Sequence, residues 1–301
     1  MIWTEGLGLA VTLLSVWKVS VVEHNNTSHS YFYELSEPRA KIGNETGDWA
    51  EAYAKARAFI SQLTLEERNT LTYGISTTSN ACSGVVAGIP RLGFPGLCFQ
   101  DAGNGVRYTD FVNNYPSGIH IGASWNKSLA YDRAWYMGGE FRKKGPQVAL
   151  GPAIGPLGRI TTGGRNWEVP SNDSCLSGVM GGEDVKGMQA QGVIASVKIP
   201  WHFIAHEQEL YSKVVDDAGK YTIEAVSSNI DGKTMQELYL QPFWDSIKAG
   251  AENIMCSYNR VNNSFGCQNS KTMNGLLKTE LGFSGFTVSD WNAQHSGVAA
   301  S

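Results

Sequence analysis

Several features that indicate other classes of protein are missing from this sequence. It contains no Cys-x-x-Cys or Cys/His cluster with zinc spacing, so we predict neither a metal nor a cofactor. No block of Lys or Arg stands out, and the formal net charge of −4 gives no indication of binding to nucleic acid or to an anionic membrane. No Gly-x-Gly-x-x-Gly turn opens a helix, which weakens a nucleotide-binding interpretation.

Long hydrophobic runs are scarce as well. Residues 7–17 (LGLAVTLLSVW) have the length of a signal-peptide core and are short for a membrane span. Glu5 precedes them without any Lys or Arg, so a mis-assigned start and a short hydrophobic anchor are alternatives. We interpret residues 1–22 as a leader and the Asn-, Ser- and Thr-rich residues 23–47 as a polar linker, with no further membrane segment.

Cysteines and Asn-x-Ser/Thr triplets favour an extracellular protein. The pairs Cys82/Cys98 and Cys256/Cys267 each bracket a turn-rich segment that a disulfide could close, which leaves Cys175 over. Five reduced thiols in a cytosolic protein are the alternative. The triplets are N-glycosylation acceptors and add to the prediction of secretion; their asparagines are Asn25, Asn26, Asn44, Asn126, Asn172 and Asn262.

The 301 residues, 42% of them hydrophobic, are enough for one (β/α)-type domain or two small ones. From residue 48 onward, helix signals alternate with short apolar runs. Thr64-x-x-Glu67 and Thr234-x-x-Glu237 have the capping-box pattern, and Ser128 can cap a helix that stops near residue 145. The apolar runs predict buried strands at residues 96–99, 147–150, 193–197, 253–256 and 286–288.

Polar residues follow these predicted strands. In chain order they are Asp101, Arg165 (after a loop), Lys198, Tyr258 and Asp290. The carboxyl ends of parallel strands form the active face of a (β/α)₈ barrel, and a doubly wound sheet would also place its site there. We therefore predict an α/β fold of the TIM-like (β/α)₈ type over residues 48–301, with these side chains close together.

Two motifs carry the chemistry. In FTVSDW, Asp290 supplies a carboxylate directly after a strand and Trp291 supplies a flat apolar face, which suits attack on a pyranose. Asp290 as a simple helix cap is the alternative. In QDAGNGVR, Asp101 and Arg107 offer an acceptor and a donor fork, although a tight loop with a salt bridge explains them equally well. GGRNWE adds Arg165 and Trp167 in another glycine-rich loop.

Taken together, these stretches resemble glycoside hydrolase family 3, and within it the fungal β-glucosidases. The resemblance runs from about residue 48 to the end and includes GIPRLGFPGLCFQDAGNGVR, LGPAIGPLGRITTGGRNWE and GFSGFTVSDWNAQHSG. It also covers KTMQELYLQPFWDSIKAGAENIMCSYNRVNN. These motifs are long, ordered and unusual in combination.

The resemblance implies roles for matching residues. Asp290 is similar to the family nucleophile, which forms a covalent glycosyl-enzyme in a retaining mechanism, and Tyr258 to the residue that orients it. Asp101, Arg107 and Arg165 correspond to contacts with the terminal glucose, and Trp291 to part of the subsite wall. The expected activity is hydrolysis of terminal, non-reducing β-D-glucosyl residues of cellobiose or short β-glucans. A β-xylosidase is an alternative, against which Asp101 argues because it matches the position that contacts hydroxyls beyond C3.

The sequence departs from the family pattern in its middle. A Lys-His pair is expected there, but IPW separates Lys198 from His202, so both bind sugar only if the insertion bulges out. An unspliced fragment would produce the same insertion. His206 follows His202 at the spacing of the proton donor in family members that act on N-acetylglucosaminides, which gives a second alternative activity.

The chain stops eleven residues after Asp290. By resemblance, we expect the barrel to lack its last strand-helix portion and the following sandwich domain, which supplies the general acid/base Glu in fungal β-glucosidases. General acid catalysis contributes roughly 10²–10⁴-fold, so we expect this fragment to be poorly stable and weakly active. A catalytically inactive glycan-binding remnant is the alternative from another functional class. The sequence predicts no oligomeric state.

Overall fold

The computed structural model describes residues 49–75, 82–156, 164–198, 211–215, 221–225, 227–291 and 293–294. The predicted leader and linker lie outside these residues. The same holds for the glycosylation candidates Asn25, Asn26 and Asn44, for the predicted sugar contact His202, and for His206.

A six-stranded sheet forms the centre of the described residues, and its neighbouring strands are, in order, β1 (Gly84–Val86), β2 (Leu97–Asp101), β3 (Val148–Leu150), β4 (Ile194–Lys198), β8 (Asn253–Cys256) and β11 (Phe286–Ser289). Neighbours from β2 to β11 pair in parallel, whereas β1 is antiparallel to β2. Sequence-remote strands become neighbours, as when Ser196 pairs with Asn253, because helices connect the parallel strands. The other strands of the described residues are β5 (Tyr211–Val215), β6 (Tyr221–Ala225), β7 (Ser227–Ser228), β9 (Arg260–Val261) and β10 (Ser264–Phe265).

Both faces of the central sheet are buried. On β3, Val148 and Leu150 join a cluster with Phe59 of the first helix, while Ala149 between them packs into a second cluster with Phe141. Alternate side chains of a strand point to opposite faces, so continuous apolar runs such as β3 and β4 belong in a sheet covered on both sides. This explains why apolar runs rather than an alternating pattern predicted these strands.

Helices cover the sheet. In the part of the chain that the structure describes they are α1 (Ala50–Ile60), α2 (Leu65–Thr70), α3 (Gly118–Ser124), α4 (Lys127–Lys144), α5 (Ser174–Gln189), α6 (with segments Gly232–Thr234, the π-helical Met235–Leu240, and Gln241–Lys248) and the π-helical α7 (Lys271–Glu280). Short 3₁₀ turns lie at Pro90–Leu92, Asn166–Glu168 and Gly266–Gln268. None of the described helices is long and apolar enough to cross a membrane.

Helix starts were predicted with mixed success. The capping box is confirmed at α2, where Thr64 Oγ1 accepts from Glu67 N and the Glu67 carboxylate accepts from Thr64 N. The other two caps are wrong. Asn126, not Ser128, caps α4, and Asp231 caps α6 by accepting from the backbone N–H of Thr234. In both cases an Asn or Asp two or three residues upstream provides the acceptor, which is the preferred chemistry at a helix N-terminus.

Helix α5 was not predicted, because its sequence SCLSGVMGGEDVKGMQ is rich in glycine, a poor helix former. The glycines are required by packing. A Cβ at Gly178 would lie 2.2 Å from Asp245 Oδ2 of α6, and one at Gly187 would lie 2.4 Å from the Tyr131 carbonyl oxygen of α4. Close contact with two neighbouring helices therefore overrides the helix propensity of this segment.

The central sheet curls until its two edge strands approach each other. Trp291, two residues after β11, donates from Nε1 to the carbonyl oxygen of Ser83 just before β1, at 2.8 Å. At the amino end of β11, the hydroxyl of Tyr53 in α1 donates to the carbonyl oxygen of Ser284. A curled parallel sheet with helices outside it is the arrangement of a (β/α) barrel, so the predicted α/β barrel class is confirmed.

Candidate active site

A cleft of about 380 Å³ lies at the carboxyl edge of the central sheet. This volume suits a small ligand such as a single sugar ring. The cleft brings together six residues predicted from the sequence, namely Asp101, Arg107, Arg165, Lys198, Tyr258 and Asp290. It is also lined by Ala102, Gly103, Gly164, Trp167, Glu168 and Met255.

Asp290 lies directly after β11, and its carboxylate is held in a fixed orientation. Oδ1 accepts hydrogen bonds from the Tyr258 hydroxyl at 3.1 Å and from the backbone N–H of Trp291 at 2.8 Å. The backbone N–H of Asp290 donates to the carbonyl oxygen of Cys256, which continues the pairing of β11 with β8. The end of a parallel pair of strands therefore positions both the carboxylate and its tyrosine partner.

Burial raises the pKa of the Asp290 carboxyl above its ordinary value. Attraction to Lys198 and Arg165 and the two hydrogen bonds oppose this effect without cancelling it. The ionised carboxylate is thus poorly solvated and only partly compensated by charge. A carboxylate in that state is a stronger base and a better nucleophile than one in water.

A second buried carboxylate, Glu168, binds two of the predicted cations. Arg165 donates from Nε and from one terminal nitrogen to the two carboxylate oxygens, at 2.6 and 2.9 Å. Lys198, at the end of β4, donates to Oε2 at 3.3 Å. Only 10% of the Glu168 side chain is exposed, so the three charges form one buried network beside Asp290.

The pKa values in this network follow from burial and from mutual charge. Burial favours a neutral Glu168, but the attraction of Lys198 and Arg165 outweighs it, so the pKa of Glu168 lies below its ordinary value. Burial and repulsion from Arg165 lower the pKa of Lys198, against the attraction of Glu168, Asp290 and Asp101. Glu168 is therefore ionised and is a poor proton donor.

Asp101 and Arg107 also line the cleft. Their side chains make one hydrogen-bonded ion pair at 3.2 Å, and both are more than a third exposed. Gln100, one residue earlier, is buried; its amide nitrogen donates to the carbonyl oxygen of Arg107, and its amide oxygen accepts from the backbone N–H of Asp101. The tight-loop interpretation and the ligand-contact interpretation are therefore both compatible with the geometry.

Trp291 is not among the residues that line this cleft. Its indole ring packs over Gly84, where a Cβ would lie 2.7 Å from the ring, and its N–H is bonded to Ser83. Its assignment to the sugar wall stays a prediction. Trp167 lines the cleft instead. The tryptophan of GGRNWE was noted from the sequence together with Arg165, but Glu168 was not, although a carboxylate in a glycine-rich loop was a signal for it.

Both predicted cysteine pairs are disulfides in the structure. Cys82 and Cys98 are joined with an S–S distance of 1.99 Å, next to the Ser83 that binds Trp291. Cys256 and Cys267 are joined at 1.96 Å and close the loop that carries Tyr258. Cys175 is exposed and unbonded to the other cysteines.

The arrangement can hold a small polyhydroxylated ligand and attack it with a carboxylate. Arg165, Lys198 and Asp101 offer donors and acceptors of both charges, and Asp290 stands among them. In the described part of the chain, no group of three or more His, Cys, Asp or Glu side chains is placed to hold a metal ion.

Comparisons with known proteins agree with this geometry. Residues 33–299 match the model of the glycosyl hydrolase family 3 N-terminal domain. The chain is 56% identical over 276 residues to the probable β-glucosidase M of Emericella nidulans, covering 91% of this chain and 35% of that protein. It is 55% identical over 296 residues to the Aspergillus fumigatus protein of the same name, covering 98% and 38%.

The solved structure of Chaetomium thermophilum β-glucosidase superimposes with a TM-score of 0.76 at 49% identity, covering 84% of this chain and 30% of that one. The chain thus spans little more than a third of the length of the relatives it matches. Because the matched family model extends over nearly all of its residues, the chain belongs to glycosyl hydrolase family 3.

Proposed function

We propose that this chain provides the nucleophile and most of the sugar-binding groups of a β-glucosidase that releases terminal β-D-glucosyl residues with retention. The observation that carries the proposal is the environment of Asp290. Its carboxylate is half-buried at a strand end, held by Tyr258 and the Trp291 N–H, and faced by Arg165 and Lys198. Support also comes from relatives named as β-glucosidases.

The proposed reaction begins with attack of the Asp290 carboxylate on the anomeric carbon. The Tyr258 hydroxyl and the Trp291 N–H, which both donate to Oδ1, hold the carboxylate in place for this attack. A C–O bond to Asp290 forms while the glycosidic C–O bond breaks, and a proton donor must protonate the leaving oxygen. Water then hydrolyses the glycosyl-enzyme and regenerates the carboxylate.

None of the residues that line the cleft is assigned the role of proton donor. Glu168 is excluded by its two cationic partners, which keep it ionised. Asp101 is engaged by Arg107 and is given the role of binding sugar hydroxyls. We therefore place the acid/base carboxyl outside the described residues, as the family resemblance implies, about 5–5.5 Å from Asp290.

An Asp290→Asn variant of the natural full-length protein tests the proposal. The matched control is Asp132→Asn, which removes an exposed carboxylate from α4. We expect Asp290→Asn to lose at least about 10³-fold in turnover of an aryl β-glucoside while still binding glucose, since the carboxylate is the nucleophile. Asp132→Asn should keep full activity.

Chemical trapping provides an independent measurement. A 2-deoxy-2-fluoro-β-glucoside should label the peptide that contains Asp290, as detected by mass spectrometry after proteolysis. A label on a different peptide defeats the assignment of Asp290. A wild-type protein with no turnover supports the alternative, a glycan-binding remnant.

We also propose that the protein is secreted. The two disulfides are typical of proteins from oxidising compartments. The glycosylation candidates Asn126, Asn172 and Asn262 are all exposed. Asn126 caps α4 through Oδ1, so its amide nitrogen can carry a glycan while the cap persists. Loss of mass on treatment with an N-glycosidase tests this proposal.

A further inference from the structure

We propose that Glu168 is a positioning residue that holds Arg165 and Lys198 in shared ion pairs, so that neither cation pairs fully with Asp290. The inference rests on the proposed function and deepens it. Glu168 lines the cleft but, because its two cations keep it ionised, it serves neither as nucleophile nor as acid. Its geometry nevertheless connects it to both cations that act on Asp290.

The contacts of Glu168 fix the positions of the two cations. Arg165 meets both carboxylate oxygens in a fork, the most directional form of an arginine–carboxylate pair. Lys198 shares Oε2 with that fork at 3.3 Å. Because Lys198 is at the end of β4 and Arg165 belongs to a separate loop, the carboxylate joins two elements that are not neighbours in sequence.

The charges that face Asp290 come from several elements. Lys198 from β4 and Arg165 from the loop before the Asn166–Glu168 turn attract it, and Tyr258 after β8 donates a hydrogen bond. Asp101 at the end of β2 also attracts both cations. Three carboxylates therefore act on Arg165 and Lys198, and Glu168 is hydrogen-bonded to both cations.

Removal of the Glu168 charge would redistribute this attraction. With one carboxylate fewer, Arg165 and Lys198 would stabilise ionised Asp290 more strongly, and a carboxylate that is more stabilised is a weaker nucleophile. Glu168 also matters once the reaction starts. Formation of the glycosyl ester consumes the charge of Asp290, and Glu168 then remains as the partner of the buried Lys198 and the half-buried Arg165, which are costly to leave unpaired.

The experiment measures the pH dependence of kcat/KM for Glu168→Gln in the natural full-length protein, with an aryl β-glucoside as substrate. We expect kcat to fall by about 10- to 100-fold, as is usual when a residue that orients active groups is lost. The acid limb, which reports ionisation of Asp290 in the free enzyme, should move to lower pH by about one unit because a nearby negative charge has gone.

Controls separate positioning from a merely structural role. A structural role would reduce kcat without moving the acid limb, and an unmoved limb would overturn the proposal. Glu168→Asp restores the charge and should bring the limb back towards the wild-type pH, which also keeps the test decisive if the Gln variant does not fold. Glu237→Gln, at a largely exposed glutamate of α6, should change neither value. If the Asp290→Asn variant stays active, the proposed function itself is wrong, whatever the pH profile of the Glu168 variants shows.

Discussion

Two arginine–aspartate pairs, one within the segment 101–117 and one that packs against it, have the same N–O distance and very different surroundings. Arg133 of α4 pairs with Asp184 of α5 at 3.2 Å, and their side chains are 7% and 4% exposed. Arg107 pairs with Asp101 at 3.2 Å, and their side chains are 55% and 37% exposed. Distance alone therefore does not decide what such a pair contributes.

The buried pair is also the better connected. Arg133 donates to both oxygens of Asp184, to the carbonyl oxygen of Gly103 and to that of Pro116. It thereby ties both ends of the loop on which Arg107 lies to the helix layer. Burial raises the pKa of Asp184 even though Arg133 opposes it, so the pair stabilises the fold only while both partners are present.

The largest effect is expected from Arg133→Met. Removal of the guanidinium leaves the Asp184 carboxylate buried without its partner, which costs about 3–5 kcal/mol in the free energy of unfolding. Urea unfolding followed by circular dichroism measures this value. The double variant Arg133→Met/Asp184→Leu should recover much of the loss. A loss below about 1 kcal/mol in the single variant would mean that the pair behaves as an exposed one.

Glu252 is a third carboxylate for this comparison. It directly precedes β8, at the amino edge of the sheet, whereas the cleft lies at the carboxyl edge. Desolvation alone raises its pKa from 4.5 to about 7. The pKa of Glu252 is higher in the folded state than in the unfolded state. The contribution of this residue to the free energy of unfolding is therefore complete below pH 4.5 and is lost as the pH rises to about 7. At 1.36 kcal/mol per pKa unit the loss is about 3 kcal/mol.

A Glu252→Gln variant should therefore exceed the wild type in unfolding free energy by up to about 3 kcal/mol at pH 8 and match it near pH 4. The difference between the two proteins, measured by denaturant unfolding at several pH values, isolates this residue from all other titrating groups. Glu237→Gln is the exposed control and should give a flat difference. A difference that is flat for Glu252 as well would show that its carboxyl is not desolvated.

The contrast also explains what the sequence could predict. Asp101, Lys198, Tyr258 and Asp290 each follow a predicted strand, and the carboxyl edge of a parallel sheet brings such residues together whatever the details of packing. The Arg133–Asp184 pair joins residues 51 positions apart on two helices, and no local pattern marks it. Residues positioned by strand ends were thus predictable, whereas those positioned by helix packing were not.

Helix α5 carries one half of that pair and escaped prediction for the same reason. Its glycines indicate a loop in isolation and are explained only by the closeness of α4 and α6. Glu168 is intermediate, because it stands in a recognised motif but its role depends on Lys198, thirty residues further along the chain. Local patterns therefore identified the five parallel strands of the central sheet, and packing between elements decided helix α5 and the buried charge partners.

The smallest effect on stability is expected from Arg107→Met. An exposed pair gains little from its charges because water and salt screen both of them, so the free energy of unfolding should change by less than about 1 kcal/mol. If Asp101 and Arg107 instead serve to bind sugar, KM for an aryl β-glucoside should rise while stability is kept. A stability loss as large as that of Arg133→Met would show that the shared N–O distance, and not burial, determines the contribution of each pair.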